Sequence, residues 1–358
     1  MRVSPKNDSY GALPQACFET FIVSYWPQIL YDVGMSFFSI FLALVIEQAR
    51  PMSPSHFLHQ WLRKWANWVS SHVDGGSRTQ AWLAWGMLVG VPAALAMLVH
   101  WILALTLGWF FAVAWNVALL YVTLGFRQFS HHFTGIRDAL NEGDEAQARK
   151  LLAEWQQVEI NDLPRNEIVR HVIEHSILSA HRHVFGVFFS YALLSVIGLG
   201  PVGAVAYRVA EFAKRYWTVA SPNQPTENLT GPGTHAWISG ALQNLTQETW
   251  HAIDWLPARA TAMGFAIMGS FEDAMDGWRH HSEKFPDDND GVILAATAGA
   301  INVQLGGAAL QPNLPGSSST PGRAPELGHF AQVVGLVWRT VVMWMVLVAL
   351  LSLANLLG

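Results

Sequence analysis

TQAWLAWGMLVGVPAALAMLVHWILALTLGWFFAVAWNVALLYVTLGF, residues 79–126, decides the fold. It holds no Asp, Glu, Lys or Arg between Arg78 and Arg127. Its 48 uncharged residues are too many for one bilayer crossing of about 20 and right for two. The stretch reads as a helical hairpin: a helix from Ala81 to Trp101, a turn within His100–Gly108, and a return from Trp109 to Phe126. Pro92 falls inside the first helix, a position that spanning helices tolerate. Trp82, Trp85, Trp101 and Trp109 suit the aromatic belt at the membrane–water boundary. A buried soluble hairpin is the weaker reading of the same residues.

The rest of the 358-residue chain agrees with a bilayer. Hydrophobic residues make up 51% and charged residues 13%, with 17 tryptophans, and the mean hydropathy is +0.24. Soluble domains carry about 25% charged residues. Disorder, coiled coil and collagen are excluded. The net charge of −5 argues against a nucleic-acid partner, which draws a basic patch. The single cysteine, Cys17, excludes an intrachain disulfide and a multi-cysteine metal site.

Three further apolar stretches follow. The C-terminus is uncharged from Thr340 to Gly358, with apolar sequence back to Phe330, and predicts a terminal transmembrane helix over 330–358. Met35–Ile46, MSFFSIFLALVI, is short for a full crossing and suits a tilted, re-entrant or interfacial segment. Val184–Tyr207 is broken by Gly198–Gly203 and predicts two short helices joined by a Gly-Pro turn, spanning or re-entrant. Residues 1–34 read as an irregular extension, with Met35 the expected natural start. Arg50, Arg63, Lys64 and Arg78 precede the hairpin and Arg127 follows it, whereas its turn has no base. The excess of bases on that side places both hairpin ends in the cytoplasm.

The polar parts read as helices. In 56–73, Trp61, Trp65, Trp68 and His72 recur with Phe57 at helical spacing beside Arg63, Lys64 and Asn67. This helix either lies in the membrane interface or packs on the membrane domain. Residues 127–183 form a cytoplasmic helical insert, with Phe133, Ile136, Ala139 and Leu140 as one stripe. A turn over Asn141–Asp144 precedes a second face of Ala148, Leu151, Leu152 and Trp155. Residues 221–234 are a loop, and 311–329, rich in Pro, Gly and Ser, a flexible linker. Asn228 and Asn244 lie in N-x-T sequons, which matter only under glycosylation. The expected fold class is all-α: a polytopic helical membrane protein with cytoplasmic amphipathic helices.

Chemistry is sparse. No Walker A, G-x-G-x-x-G or G-x-S-x-G motif is present. His171-Val-Ile-Glu174-His175 fits the H-x-x-E-H spacing of inverted zinc peptidases, so His171, Glu174 and His175 are metal candidates. The plainer reading is a helix face with histidines at the membrane surface. Glu211, Lys214 and Arg215 read as a solvated helix end. Asp254 and Arg259, flanking Trp255-Leu-Pro257-Ala, read as a helix entering the membrane domain or as a paired site, with pairing ahead of catalysis.

Several segments in shared order resemble the CobD/CbiB family of cobalamin biosynthesis and its relative AmpE. They are MSFFSIFLALVIEQ from Met35, Leu120–Arg127, and Leu140 through Gly143-Asp144 to Arg149. Arg170–Glu174, Gly200-Pro201-Val-Gly203-Ala-Val-Ala-Tyr207-Arg208, Asp254-Trp255-Leu-Pro257-Ala-Arg259 and Ala298–Gly307 complete the set. The resemblance spans residues 35–310 as one membrane domain and reaches the C-terminus. It implies a bacterial inner-membrane synthase that condenses adenosylcobyric acid with aminopropanol or its phosphate, using Mg-ATP. On that reading Glu174 would help hold Mg²⁺, and Arg208 and Arg259 would meet phosphate. Glu174→Gln would then abolish activity.

The sequence also departs from the synthase pattern. Leu178, Ser179 and Arg182 stand where synthases continue with an Asn and an Asp, and Leu294 stands for a glutamate. The aromatic stretch at Tyr216-Trp217 looks like that of AmpE. The first expectation is therefore an AmpE-like sensor or signalling protein with a protein partner. The alternative is the synthase with its corrinoid substrate, and a zinc peptidase stands third.

Overall fold

The computed structural model describes residues 37–49, 56–156, 158, 162–219, 238–310 and 316–357. The expectations for residues 1–34, the loop 221–234 and the Asn228 sequon lie outside the described residues. Within them the chain is all-helical: α1 (Phe37–Ala49), α2 (His56–Val73), α3 (Arg78–Thr106), α4 (Trp109–Thr123), α5 (Phe126–Glu142) and α6 (Glu145–Gln156). Next come α7 (Arg165–Ala180), a π-helical turn (His181–Phe185), α8 (Gly186–Ser195) and α9 (Gly200–Val219). Then follow α10 (Gly240–Met268), α11 (Phe271–His281), a 3₁₀ turn (Ser282–Lys284), α12 (Asp288–Ile301) and α13 (Gly328–Leu357).

The expected hairpin forms as α3 and α4, but only α3 is long enough to cross a membrane; α4, at 15 residues, is a shorter apolar helix than the expected return span. Ser77 starts α3 through a reciprocal capping box with Gln80, which satisfies two helix-start donors. Only Leu107 and Gly108 separate the two helices, and Gly108 takes φ +94°, a left-handed value that favours glycine. Buried His100 and Asn116 meet across the hairpin at 2.9 Å, satisfying polar groups that lipid would leave unpaired. By length and composition, Arg78–Thr106, Arg165–Ser195 and Gly328–Ala354 can each cross a membrane. The protein is a helical membrane protein.

Where the sequence places an insert ending at 183, the helix continues. α7, the π turn and α8 form one stretch from Arg165 to Ser195, so Arg165–His183 leads into a candidate span. The break after Ser195 is real: Gly198 takes φ +75°, and α9 returns against α8. The two backbones touch, because a Cβ on Gly203 would sit inside contact distance of the Ser190 carbonyl. Small residues at such crossings let helices approach.

The polar helices pack as their stripes dictate. Phe133, Ile136, Leu140, Ala148 and Leu152 are buried in the shared core, Gly143 turns the chain at φ +82°, and Asp144 caps α6 by accepting from Gln147 N (2.9 Å). The expected flexible linker is ordered where described. Thr320 N donates to Leu305 O (2.7 Å), Thr320 Oγ1 accepts from Leu305 N (2.9 Å), and Gln304 N donates to Arg323 O (2.8 Å). Backbone pairing with 303–305 corrects that expectation: Pro and Gly here shape a docked loop.

Candidate functional site

The site grows from the π turn. One added residue per turn shifts side-chain directions, and such bulges often mark functional sites. Here it lets three successive polar residues find partners on three helices: His181 on α10 and α9, Arg182 on α12, and His183 on α9.

His181 belongs to a sealed network. Asp254 is 0% exposed, and its Oδ1 accepts from Tyr207 OH (2.7 Å) and lies 2.8 Å from His181 Nε2. Thr261 Oγ1 donates to Pro257 O (2.9 Å) and lies 2.9 Å from His181 Nδ1. A carboxylate in such a place persists only when hydrogen-bonded. Asp254 therefore pairs inward, and the expected Asp254–Arg259 pair does not form. Arg259 instead donates to Asn289 Oδ1 (2.9 Å), with its guanidinium 4.2 Å from the Trp255 ring centroid.

Around this network runs a chain of opposite charges. Arg182 donates to Asp290. Arg208 donates to Glu211 (2.9 Å), and its guanidinium lies 3.4 Å from His183. Arg215 approaches Glu211 at 4.0 Å, and Lys214 donates to Asp287 at 2.9 Å. Glu211 is only 5% exposed, which corrects the expectation of a solvated helix end. Burial pushes its carboxyl up, but Arg215 and Arg208 outweigh that and hold it at about 2. Asp287 is likewise held below its ordinary value: burial raises it, and Lys214 more than offsets the rise.

A group depressed in the folded state stabilises the protein above its unfolded value and loses that contribution as pH falls. The thermal midpoint of the purified protein is therefore expected to fall as pH drops from 4.5 towards 2. In Glu211→Gln that part of the fall should shrink. A variant profile parallel to wild type would show that Glu211 does not carry it.

Glu174 sits apart from this cluster. Its carboxylate accepts from Arg170 Nη1 (3.1 Å) and from Gly306 N (2.7 Å). Arg170, 3% exposed, also binds Glu167 and the carbonyl of Ala308. The two residues clamp the 303–308 loop to α7. Arg170 also donates to His171 Nε2 (2.9 Å), and His175 packs edge-on against Trp155. The zinc spacing is met on the helix, but Arg170 engages His171 Nε2 and the Glu174 carboxylate, two of the three groups a metal would need. Among the described residues no group of three His, Cys, Asp or Glu is placed to hold a metal. Arg170→Gln is expected to speed amide hydrogen exchange over 303–308; unchanged protection there would refute the clamp.

The site's carboxylates suit a different ion. Mg²⁺ keeps several waters and takes one or two carboxylates plus substrate phosphates. Asp290 Oδ1 is buried with no partner among the described residues, and Asp288 is exposed at the same helix start. The Asp290 oxygen suits Mg²⁺ that arrives with phosphates, whereas Asp288, two positions away on the helix, does not share its face. The sequence analysis missed both, although Pro286-Asp-Asp-Asn-Asp290 before an apolar run is a helix-start signal. Of the expected site residues, the fold brings Arg208 and Arg259 to the margins of the cluster and leaves Glu174 in the loop clamp.

Comparison with known proteins gives the family. The profile of the CobD/Cbib protein family matches residues 38–217. A protein of Stutzerimonas stutzeri named cobalamin biosynthesis protein CobD is 26% identical over 285 residues, 78% of this chain and 86% of its own length. One of the same name from Chromobacterium violaceum is 29% identical over 54% of this chain and 55% of its own length. One from Synechocystis is 27% identical over 60% and 59%. No solved structure matches. The profile covers half of the chain and takes in the π turn, Tyr207, Arg208 and Glu211, and the chain belongs to the CobD/Cbib family.

Proposed function

We propose that the protein is the amide-forming synthase of cobalamin biosynthesis, joining adenosylcobyric acid to aminopropanol or its phosphate with Mg-ATP. One observation carries this reading: four cations, Arg182, Arg208, Lys214 and Arg215, are held by three carboxylates, with Arg182 on Asp290, Lys214 on Asp287, and Arg208 and Arg215 on Glu211. Such a set can meet phosphates and their cation together. The names of the matched relatives support the same reading. The expectation of an AmpE-like signalling protein is withdrawn. It rested on lost carboxylates, and α10 and the start of α12 supply carboxylates beside Arg182.

In this reaction a carboxyl group joins an amine with loss of water, and ATP cleavage drives it. Mg²⁺, held at Asp290, would neutralise phosphate charge. Arg208 and Arg259 bind phosphate oxygens, and the His181–Asp254–Tyr207 network fixes the helices that carry the cations. The reaction runs at the cytoplasmic face of the bacterial inner membrane, where the base-rich hairpin ends lie.

The test is a synthase assay on detergent-purified protein with adenosylcobyric acid, aminopropanol phosphate and Mg-ATP, with product read by mass spectrometry. Product is expected, and Arg208→Gln should lower the rate about 10²–10³-fold, as loss of one preorganised charge donor does. No product beside an active synthase control would overturn the proposal.

A further inference from the structure

α2 carries an aromatic wall whose Trp61 and Trp68 stand exposed among the described residues, with Trp65 half-buried between them. Trp61, Trp65, Trp68 and His72 stack in sequence along the helix, with centroids 6.3, 5.3 and 4.8 Å apart and planes within 23° of parallel. Trp61 and Trp68 are 46% and 45% exposed. Other sides of the helix are closed: Ala66 and Val69 are fully buried, and Tyr216 of α9 donates to Asn67 (2.8 Å). Phe57 lies outside the described side chains. Of the two sequence readings, packing on the membrane domain holds for one face, and the aromatic face remains free for the other.

Position and charge say what covers it. Only residues 74–77 separate α2 from α3, whose start at Arg78 opens a candidate span. The His72 end of the aromatic wall therefore stands close to the level where a membrane surface begins, and exposed Trp82 lies one turn into α3. An indole, with its apolar body and single N–H donor, favours that level. α2 contains no acid, and Arg63 and Lys64 are exposed. Asp74, the next acid along the chain, is taken by Ser239 N and Oγ (2.8 and 2.6 Å). A second copy of the chain seated on this face would bring two uncompensated basic helices together, which like-charge repulsion opposes.

We propose that α2 lies along the membrane surface and binds anionic phospholipid. The stacked tryptophans sit at the base of the headgroups, and Lys64, which flanks the aromatic face at helical spacing, binds lipid phosphate. The stack holds the rings in one geometry before lipid arrives, so little further side-chain ordering is needed. This inference is independent of the synthase reading.

The test uses the full chain in detergent, titrated with phosphatidylglycerol or phosphatidylcholine and read by native mass spectrometry. Wild type is expected to take phosphatidylglycerol in preference. Affinity should fall about fivefold in Lys64→Gln, as expected for a basic residue at an anionic surface, and Arg63→Gln, on the side towards Tyr216, should change it little. The α6 control Lys150→Gln should leave it unchanged. If the variants fail to fold, wild type carries the test: a photoactivatable phosphatidylglycerol should crosslink within residues 60–72. Crosslinks absent from that segment, a preference untouched by Lys64→Gln, or a dimer abolished by Trp61→Ala with Trp68→Ala would each overturn the proposal.

Discussion

Asp254→Ala is expected to remove about 3–5 kcal/mol of stability, the usual effect of breaking a buried pair from one side. The substitution leaves His181 Nε2 and Tyr207 OH without their shared acceptor in a site that water does not reach. An orphaned buried donor keeps the full desolvation penalty. The network joins the π turn, α9 and α10, so the loss should spread to all three. Thermal unfolding followed by intrinsic fluorescence in detergent should show a markedly lower midpoint, or no folded protein at all. Tyr207→Phe removes one of the two donors and should cost about 1–3 kcal/mol. If Asp254→Ala melts with wild type, the network is not holding these helices.

The second large effect is expected at Gly203. A methyl group there would press on the Ser190 carbonyl, a backbone atom of α8 that cannot rotate away. Gly203→Ala should cost about 1–3 kcal/mol or more, the range for an overfilled interior, and should separate α8 from α9. Gly186→Ala meets the Tyr207 ring instead, a side chain held by Asp254. Its effect should not add to that of Tyr207→Phe, because residues sharing a partner are coupled. Gly86 and Gly90 on α3 have open space where a Cβ would go. Alanine at either should leave the midpoint nearly unchanged. An equal response at Gly203 and Gly90 would refute the close-contact argument.

Much of the fold was legible because its signals are local. A charge-free run of 48 residues cannot stay in water as an open chain, and the hairpin followed from its length alone. The α5 and α6 stripes, the Gly143 turn and the break after Ser195 likewise rest on residues a few positions apart. The family, too, was legible in the order of short motifs.

The site was not legible, because its partners are far apart in sequence. His181 meets Asp254 across 73 residues and Arg182 meets Asp290 across 108. No spacing rule reaches that far. Reading Asp254 with Arg259, five positions away, chose the near partner, whereas burial chose the distant one. The π turn had no sequence signature at all, yet it decides which way His181, Arg182 and His183 point. The amino-acid sequence by itself determined the membrane hairpin, the helical class and the family, since these depend on hydropathy and local propensity. Only the tertiary structure decided which charges are buried together. Desolvation leaves a buried charge no alternative but a partner, and packing alone sets which partner is in reach.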